Sequence, residues 1–106
     1  MFTGNENHDI TFADAGVMTK RYRDANQGTN PVLGGFFGKT ALLALLNQTD
    51  CVGIRYYYAL DSAGNKQLVL VGVNSSENDL VSRDNLCKEM SIPCPTHCSS
   101  SNVLNS

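Results

Sequence analysis

CVGIRYYYAL at residues 51–60, DSAGNK at 61–66 and QLVLVGV at 67–73 set two largely apolar runs on either side of a polar one. Val, Ile, Leu and Tyr dominate both flanks, and these residues suit a pleated, half-buried surface. Asp61, Ser62, Gly64 and Asn65 between them favour a turn, with Gly64 or Asn65 able to take a positive φ. The stretch reads as a β-hairpin. Pairing Leu60 with Gln67 sets Tyr58 opposite Val69, Tyr56 opposite Val71 and Ile54 opposite Val73. Side chains alternate along a strand. The expected core face then carries Val52, Ile54, Tyr56, Tyr58, Val69, Val71 and Val73. The second face carries Arg55, Tyr57, Ala59, Leu68, Leu70 and Gly72. Burial should hold this register, because a slip of one residue mixes the two sets. The second face is still half apolar, so a cover is expected for it: the tail, a third strand or another subunit. Arg55 and Tyr57 on that face are the candidate interaction residues. A cation–π or stacking site is one use for them, and packing beneath the tail is the plainer one.

At 106 residues the chain suffices for one domain with a real core. A net charge of −2 gives no bulk attraction to nucleic acid or to an acidic membrane, so neither is expected as a partner. No run approaches the ~20 apolar residues of a membrane span. MFTGNENHDI at the start has neither a basic region nor an apolar run, so no secretory signal is read there. The expectation is a cytoplasmic protein with reduced thiols.

Residues 1–10 read as a flexible or loosely docked arm. Thr11 and Asp14 resemble a capping box with Asp in place of Glu. Ala15, Met18, Tyr22 and Ala25 then recur at helical spacing, predicting a helix over 12–25. Gly16 weakens it by about 1 kcal/mol relative to Ala, and Lys20, Arg21, Arg23 and Asp24 form its outer face. NQGTNP at 26–31 is a loop. VLGGFFG at 32–38 is ambiguous, with a short edge strand as one reading. KTALLALLNQ predicts a helix over 39–48, with Leu42, Leu45 and Leu46 inward and Leu43 widening the stripe. After a loop at NSSEND, residues 80–90 form either a short helix through Leu80, Leu86, Cys87 and Met90 or irregular structure. The tail over 91–106 has two prolines and no helical period. It should run extended, pinned by Ile92, Val103 and Leu104.

GGFFGKT invites a phosphate-binding-loop reading, but such a loop needs a Gly five positions before its GK pair. Leu33 stands there, so the glycines read as close packing at a helix start. His8 and His97 sit in the terminal segments, and Asp and Glu are scattered, so no catalytic residue and no cofactor site is assigned. Lys20, Arg21 and Arg23 beside Tyr22 read as a solvated helix face. Cys51, Cys87, Cys94 and Cys98, with His97, are the candidate metal ligands, since zinc needs four in a tetrahedron. Their spacing is not that of a standard finger. Cys94 and Cys98 can also form a disulfide if their Cα atoms approach within about 7 Å. Packing or free thiols is the leading reading for the cysteines.

CVGIRYYYAL, LVLVGVN followed by NDL, IPCPTHC and the final NVLNS together resemble a group of small uncharacterised proteins from Bacteroidota. That group has a GC-x-GIR-x-YY strand, an LVLVGV-type strand, a PCP-x-x-C segment and an N-x-LNS ending in the same order. The resemblance covers roughly residues 12–106. It matches Cys51, Cys94 and Cys98 to the group's cysteine positions, leaves Cys87 without a counterpart, and sets Asp50 where Gly is common. The group has no established activity, so the resemblance implies a class of protein and no mechanism.

The sequence therefore predicts an α+β fold in a single domain: two short helices on a small, mainly antiparallel sheet centred on the hairpin, with an extended tail. The expected role is non-enzymatic, a small interaction or assembly module that forms homo-oligomers or binds a protein partner. The alternative is a metal-binding or thiol-redox domain using Cys51, Cys87, Cys94 and Cys98.

Overall fold

The computed structural model describes every residue except Asn30 and Met90. The class is α+β. Helix α1 spans Phe12–Ala25 and α2 spans Lys39–Leu46; the strands are β1 (Gly34–Phe36), β2 (Gly53–Leu60), β3 (Lys66–Val73), β4 (Cys87–Lys88) and β5 (Ile92–Cys94). They form two antiparallel sheets, one of order β2-β3-β4 and one pairing β1 with β5. The chain divides into two compact units. One comprises Met1–Glu6 and Phe37–Ser91, the other Asn7–Phe36 and Ile92–Ser106.

In the first unit the hairpin is present, but its register differs by one from the expected pairing. Leu60 lies opposite Lys66, Tyr58 opposite Leu68, Tyr56 opposite Leu70 and Arg55 opposite Val71. The reason is the turn. Its five residues, 61–65, are one fewer than the six expected. Asp61 N donates to Asn65 O and Gly64 N to Asp61 O, while Asp61 Oδ1 accepts from Ala63 N and Asn65 N. Gly64, at φ 85°, takes the left-handed conformation that this bulged turn requires. Turn length sets register, so the faces are re-sorted. Arg55, Tyr57 and Ala59 share a face with Val71, Val69 and Gln67, and Ile54, Tyr56 and Tyr58 share the other with Gly72, Leu70 and Leu68. Tyr56, expected in the core, is 57% exposed.

The same turn occurs again directly after β3. Asn74 N donates to Asn78 O, Glu77 N to Asn74 O, and Asn78 N to Asn74 Oδ1. Glu77 holds the position of Gly64, at φ 69°. NSSEN at 74–78 thus repeats DSAGN at 61–65. It returns the chain so that Asp79 pairs with Val73 and Leu80 N donates to Gly72 O.

The core lies at this end of β3. Leu45, Leu70, Val71 and Val73 are buried, Leu45 completely. Helix α2 lies against β2 and β3. Gly72 admits the turn after α2: a Cβ there would stand 2.8 Å from Gln48 Nε2 and 3.0 Å from Cys51 Sγ. Gln48 ties the next segment down through its Oε1, which accepts from Leu86 N at 2.7 Å and Asn85 Nδ2 at 3.3 Å. Residues 80–89 form turns and the short strand β4 rather than the helix considered for 80–90; Met90 lies outside the described residues. The first residues are docked: Phe2 N donates to Ser75 O, and the Met1 ammonium lies 3.3 Å from Glu77 Oε2.

In the second unit, Thr11 caps α1 by accepting from Asp14 N at 3.1 Å, as the capping pattern predicts. The helix bounds match expectation, but its buried face does not. Met18 is 58% exposed and Tyr22 is also exposed, while Gly16 is the buried residue of α1. Gly16 meets Val103 O, and Arg23 donates to Leu104 O at 2.8 Å and Ser106 O at 2.6 Å. Positions 16 and 23 are two turns apart on one helix face. That face receives tail backbone, which a stripe of large side chains would exclude. Arg23 therefore belongs to a contact and not to the outer face. GGF at 34–36, within the ambiguous 32–38, forms β1, with Gly34 opposite Cys94 and Phe36 opposite Ile92.

Candidate interaction surface

Strand β2 sends two sets of side chains to opposite faces of the three-stranded sheet. On the first, Arg55 Nη1 lies 2.5 Å from Asp79 Oδ1, and the Tyr57 hydroxyl donates to Asp79 Oδ2. Arg55 Nη2 also donates to Glu77 O at 3.2 Å. Asp79 stands beyond β3, opposite Val73, so Arg55 must cross the Val71–Val73 row to reach it. The long stem of an Arg covers apolar surface in this way while its head stays polar. Arg55 and Tyr57 thus cover part of the Val71–Val73 row, which the expected register set on the opposite face. The Tyr57 hydrogen bond, with the neighbouring Arg55 guanidinium, holds the Asp79 carboxyl below the usual carboxylate range. The same carboxylate raises Tyr57 and Arg55. Sequence reasoning selected Arg55 and Tyr57 and missed Asp79. The repeat of the D/N-S-x-x-N turn was the available signal, since it places residue 79 beside Val73.

On the second face, Ile54, Tyr56, Tyr58 and Leu60 follow one another. Tyr58 is 84% and Leu60 69% exposed. Tyr56 and Tyr58 meet edge to face, their ring centroids 5.7 Å apart and planes at 77°, the arrangement favoured by the ring quadrupoles. The Tyr56 hydroxyl raises the titration of Tyr58. Among the described residues β2 is also an outer strand, with β3 on one side only. It carries no Pro and no Lys, the usual guards of an exposed edge.

The cysteines separate. Cys94 and Cys98 form a disulfide with Cα atoms 4.8 Å apart, which corrects the leading expectation of packing or free thiols for this pair. A turn in which His97 N donates to Pro93 O brings them within bonding reach. Cys51 and Cys87 are free; Cys51 is half-buried with its thiol donating to Gly53 O at 3.2 Å, and Cys87 is exposed in β4. His97 is exposed beside the disulfide. Among the described residues no group of three or more His, Cys, Asp or Glu is placed to hold a metal ion. Gly34 and Gly35 of GGFFGKT lie in β1, and Gly38 is the N-cap of α2. No helix of the described residues is long and apolar enough to cross a membrane.

Compared with protein-family models, with curated proteins and with solved structures, the chain finds no match.

Proposed function

We propose that this chain is a small non-enzymatic interaction module that associates with copies of itself. The observation that carries the reading is the row of large apolar side chains, Tyr56, Tyr58 and Leu60, left open on one face of an outer strand. Contiguous exposed apolar surface marks contact sites more often than isolated residues do. Closed association of identical chains is the commonest way to cover such a patch. Light scattering after size exclusion tests it. A dimer or larger species at micromolar concentration is expected, and a monomer throughout the micromolar range overturns it.

A second reading rests on the Cys94–Cys98 disulfide and makes the chain a thiol-redox domain. It requires the disulfide to exchange with a dithiol reductant at a potential near that of cellular thiol pools. Equilibration in glutathione buffers separates the two readings. A cytoplasmic location goes with the first reading; thiol trapping on lysis should then find Cys94 and Cys98 reduced in cells, although the bond closes in the oxidised protein.

A further inference from the structure

The self-association proposed above leaves open where copies meet, and the backbone of β2 narrows the answer. Asp61 N donates to Asn65 O, so residues 61 and 65 form a hydrogen-bonded pair. Such pairs alternate along an antiparallel ladder. The N–H and C=O groups of Ala59, Tyr57 and Arg55 therefore point toward β3. Those of Ile54, Tyr56, Tyr58 and Leu60 point outward from the sheet. Among the described residues, no hydrogen bond from another segment reaches them.

The side chains on this edge have a symmetry of their own. IRYYYAL at 54–60 reads nearly the same in both directions about Tyr57. Ile matches Leu, Tyr matches Tyr, and the single charge, Arg55, falls opposite Ala59. We infer that two copies join their β2 edges antiparallel about a twofold axis at Tyr57, making one continuous sheet. A twofold normal to the sheet keeps each residue on its own face, so the exposed row meets the same row. Ile54 then lies opposite the partner's Leu60, and Tyr56 opposite the partner's Tyr58. Their outward amides and carbonyls form the hydrogen-bonded pairs. On the reverse face Tyr57 meets the partner's Tyr57, with Arg55 beside the partner's Ala59. No like charges stand opposed, and aromatic cross-strand pairs are favourable.

Neighbouring registers fit less well. An axis at Arg55 sets the guanidinium against its own copy. An axis at Tyr56 sets Leu60 opposite the partner's Val52, outside β2, whose N–H already donates to Val73 O. An axis at Tyr58 sets Ile54 opposite the partner's Ser62 in the turn.

The experiment uses Tyr58→Lys, which adds a charge at an exposed edge position, with Val81→Lys as control. Val81 is 78% exposed and follows the segment paired to the other side of β3. Light scattering over a dilution series is read together with amide exchange. A dimer is expected for the natural chain and for Val81→Lys. Tyr58→Lys is expected to weaken it on the order of tenfold or more, as charged edge residues block strand pairing. The Tyr56 and Tyr58 amides of the natural chain should exchange more slowly as concentration rises. A dimer that Tyr58→Lys leaves intact, with those amides indifferent to concentration, overturns this interface and leaves self-association standing. A natural chain that is monomeric throughout overturns both.

Discussion

At the residue scale, Glu77 is at odds with its own backbone, as Asp50, at φ 67°, is to a lesser degree because Asp tolerates this region better. Glu77 takes φ 69° in a turn whose counterpart uses Gly64 at φ 85°. Left-handed backbone costs an L-residue roughly 1–2 kcal/mol that Gly escapes, less the extra entropy Gly loses on folding. The side chain gives little in return, an exposed ion pair with the Met1 ammonium of the kind worth about 0–1 kcal/mol. Glu77→Gly should therefore stabilise the chain by about 0.5–1 kcal/mol, read as a higher urea midpoint at unchanged slope. A lower midpoint would mean that Glu77 holds Met1 and Phe2 in place more strongly than its exposure implies. Asp79 makes a pH prediction. Its folded carboxyl titrates below the unfolded one, so its contribution is present at neutral pH and is lost as pH falls through the folded value. Tyr57 is raised, so its share is present below its unfolded value and lost as pH rises through the folded one. Asp79→Asn should lower stability at pH 7, and the gap to the natural chain should close in acid. A gap constant from pH 7 to pH 2 would refute an ionised clamp.

At the element scale, α1 shows how a local pattern and a tertiary contact diverge. Its ends are local: Thr11 caps it, and helical spacing carries it through to Ala25. Its buried face is set by the tail, whose Val103 carbonyl comes so near Gly16 that a Cβ has no room. Gly16→Ala should strengthen the isolated helix by about 1 kcal/mol and yet release the tail. The amides of Leu104 and Asn105 should exchange faster, with helix content by circular dichroism unchanged or slightly higher. Unchanged exchange would show that the contact is dispensable. The β1–β5 pair is the other element that no local pattern could supply. Each strand has three residues, too few to stand alone as a hairpin of two strands.

For the molecule as a whole, the two units answer differently to reductant. The disulfide lies in the second, just where β5 ends and Leu33 N donates to Cys94 O at 2.6 Å. Reduction by dithiothreitol should loosen that ladder, seen as faster exchange of the Leu33 and His97 amides. The amides of β2 and β3, held by Leu45, Leu70, Val71 and Val73, should be unaffected. Equal loss of protection in both units would show that they unfold together.

The hairpin, both helices and hence the α+β class were legible in the residues alone. Each rests on contacts within a few residues, namely strand composition around a Gly-Asn turn, helical spacing and a Thr cap. Arg55 and Tyr57 were also legible, as the polar break in an apolar strand. The register was not legible, because apolar residues on both faces of 51–73 left its parity open. One hydrogen-bonded turn residue more or fewer then exchanged the faces, moving Tyr56 from core to surface. Nor were the pairings between distant positions legible: Asp79 with Arg55, Arg23 with Leu104, β1 with β5. The Cys94–Cys98 bond spans only four positions, yet spacing also allowed free thiols or metal ligands there. Choosing among them took a backbone turn that composition does not encode.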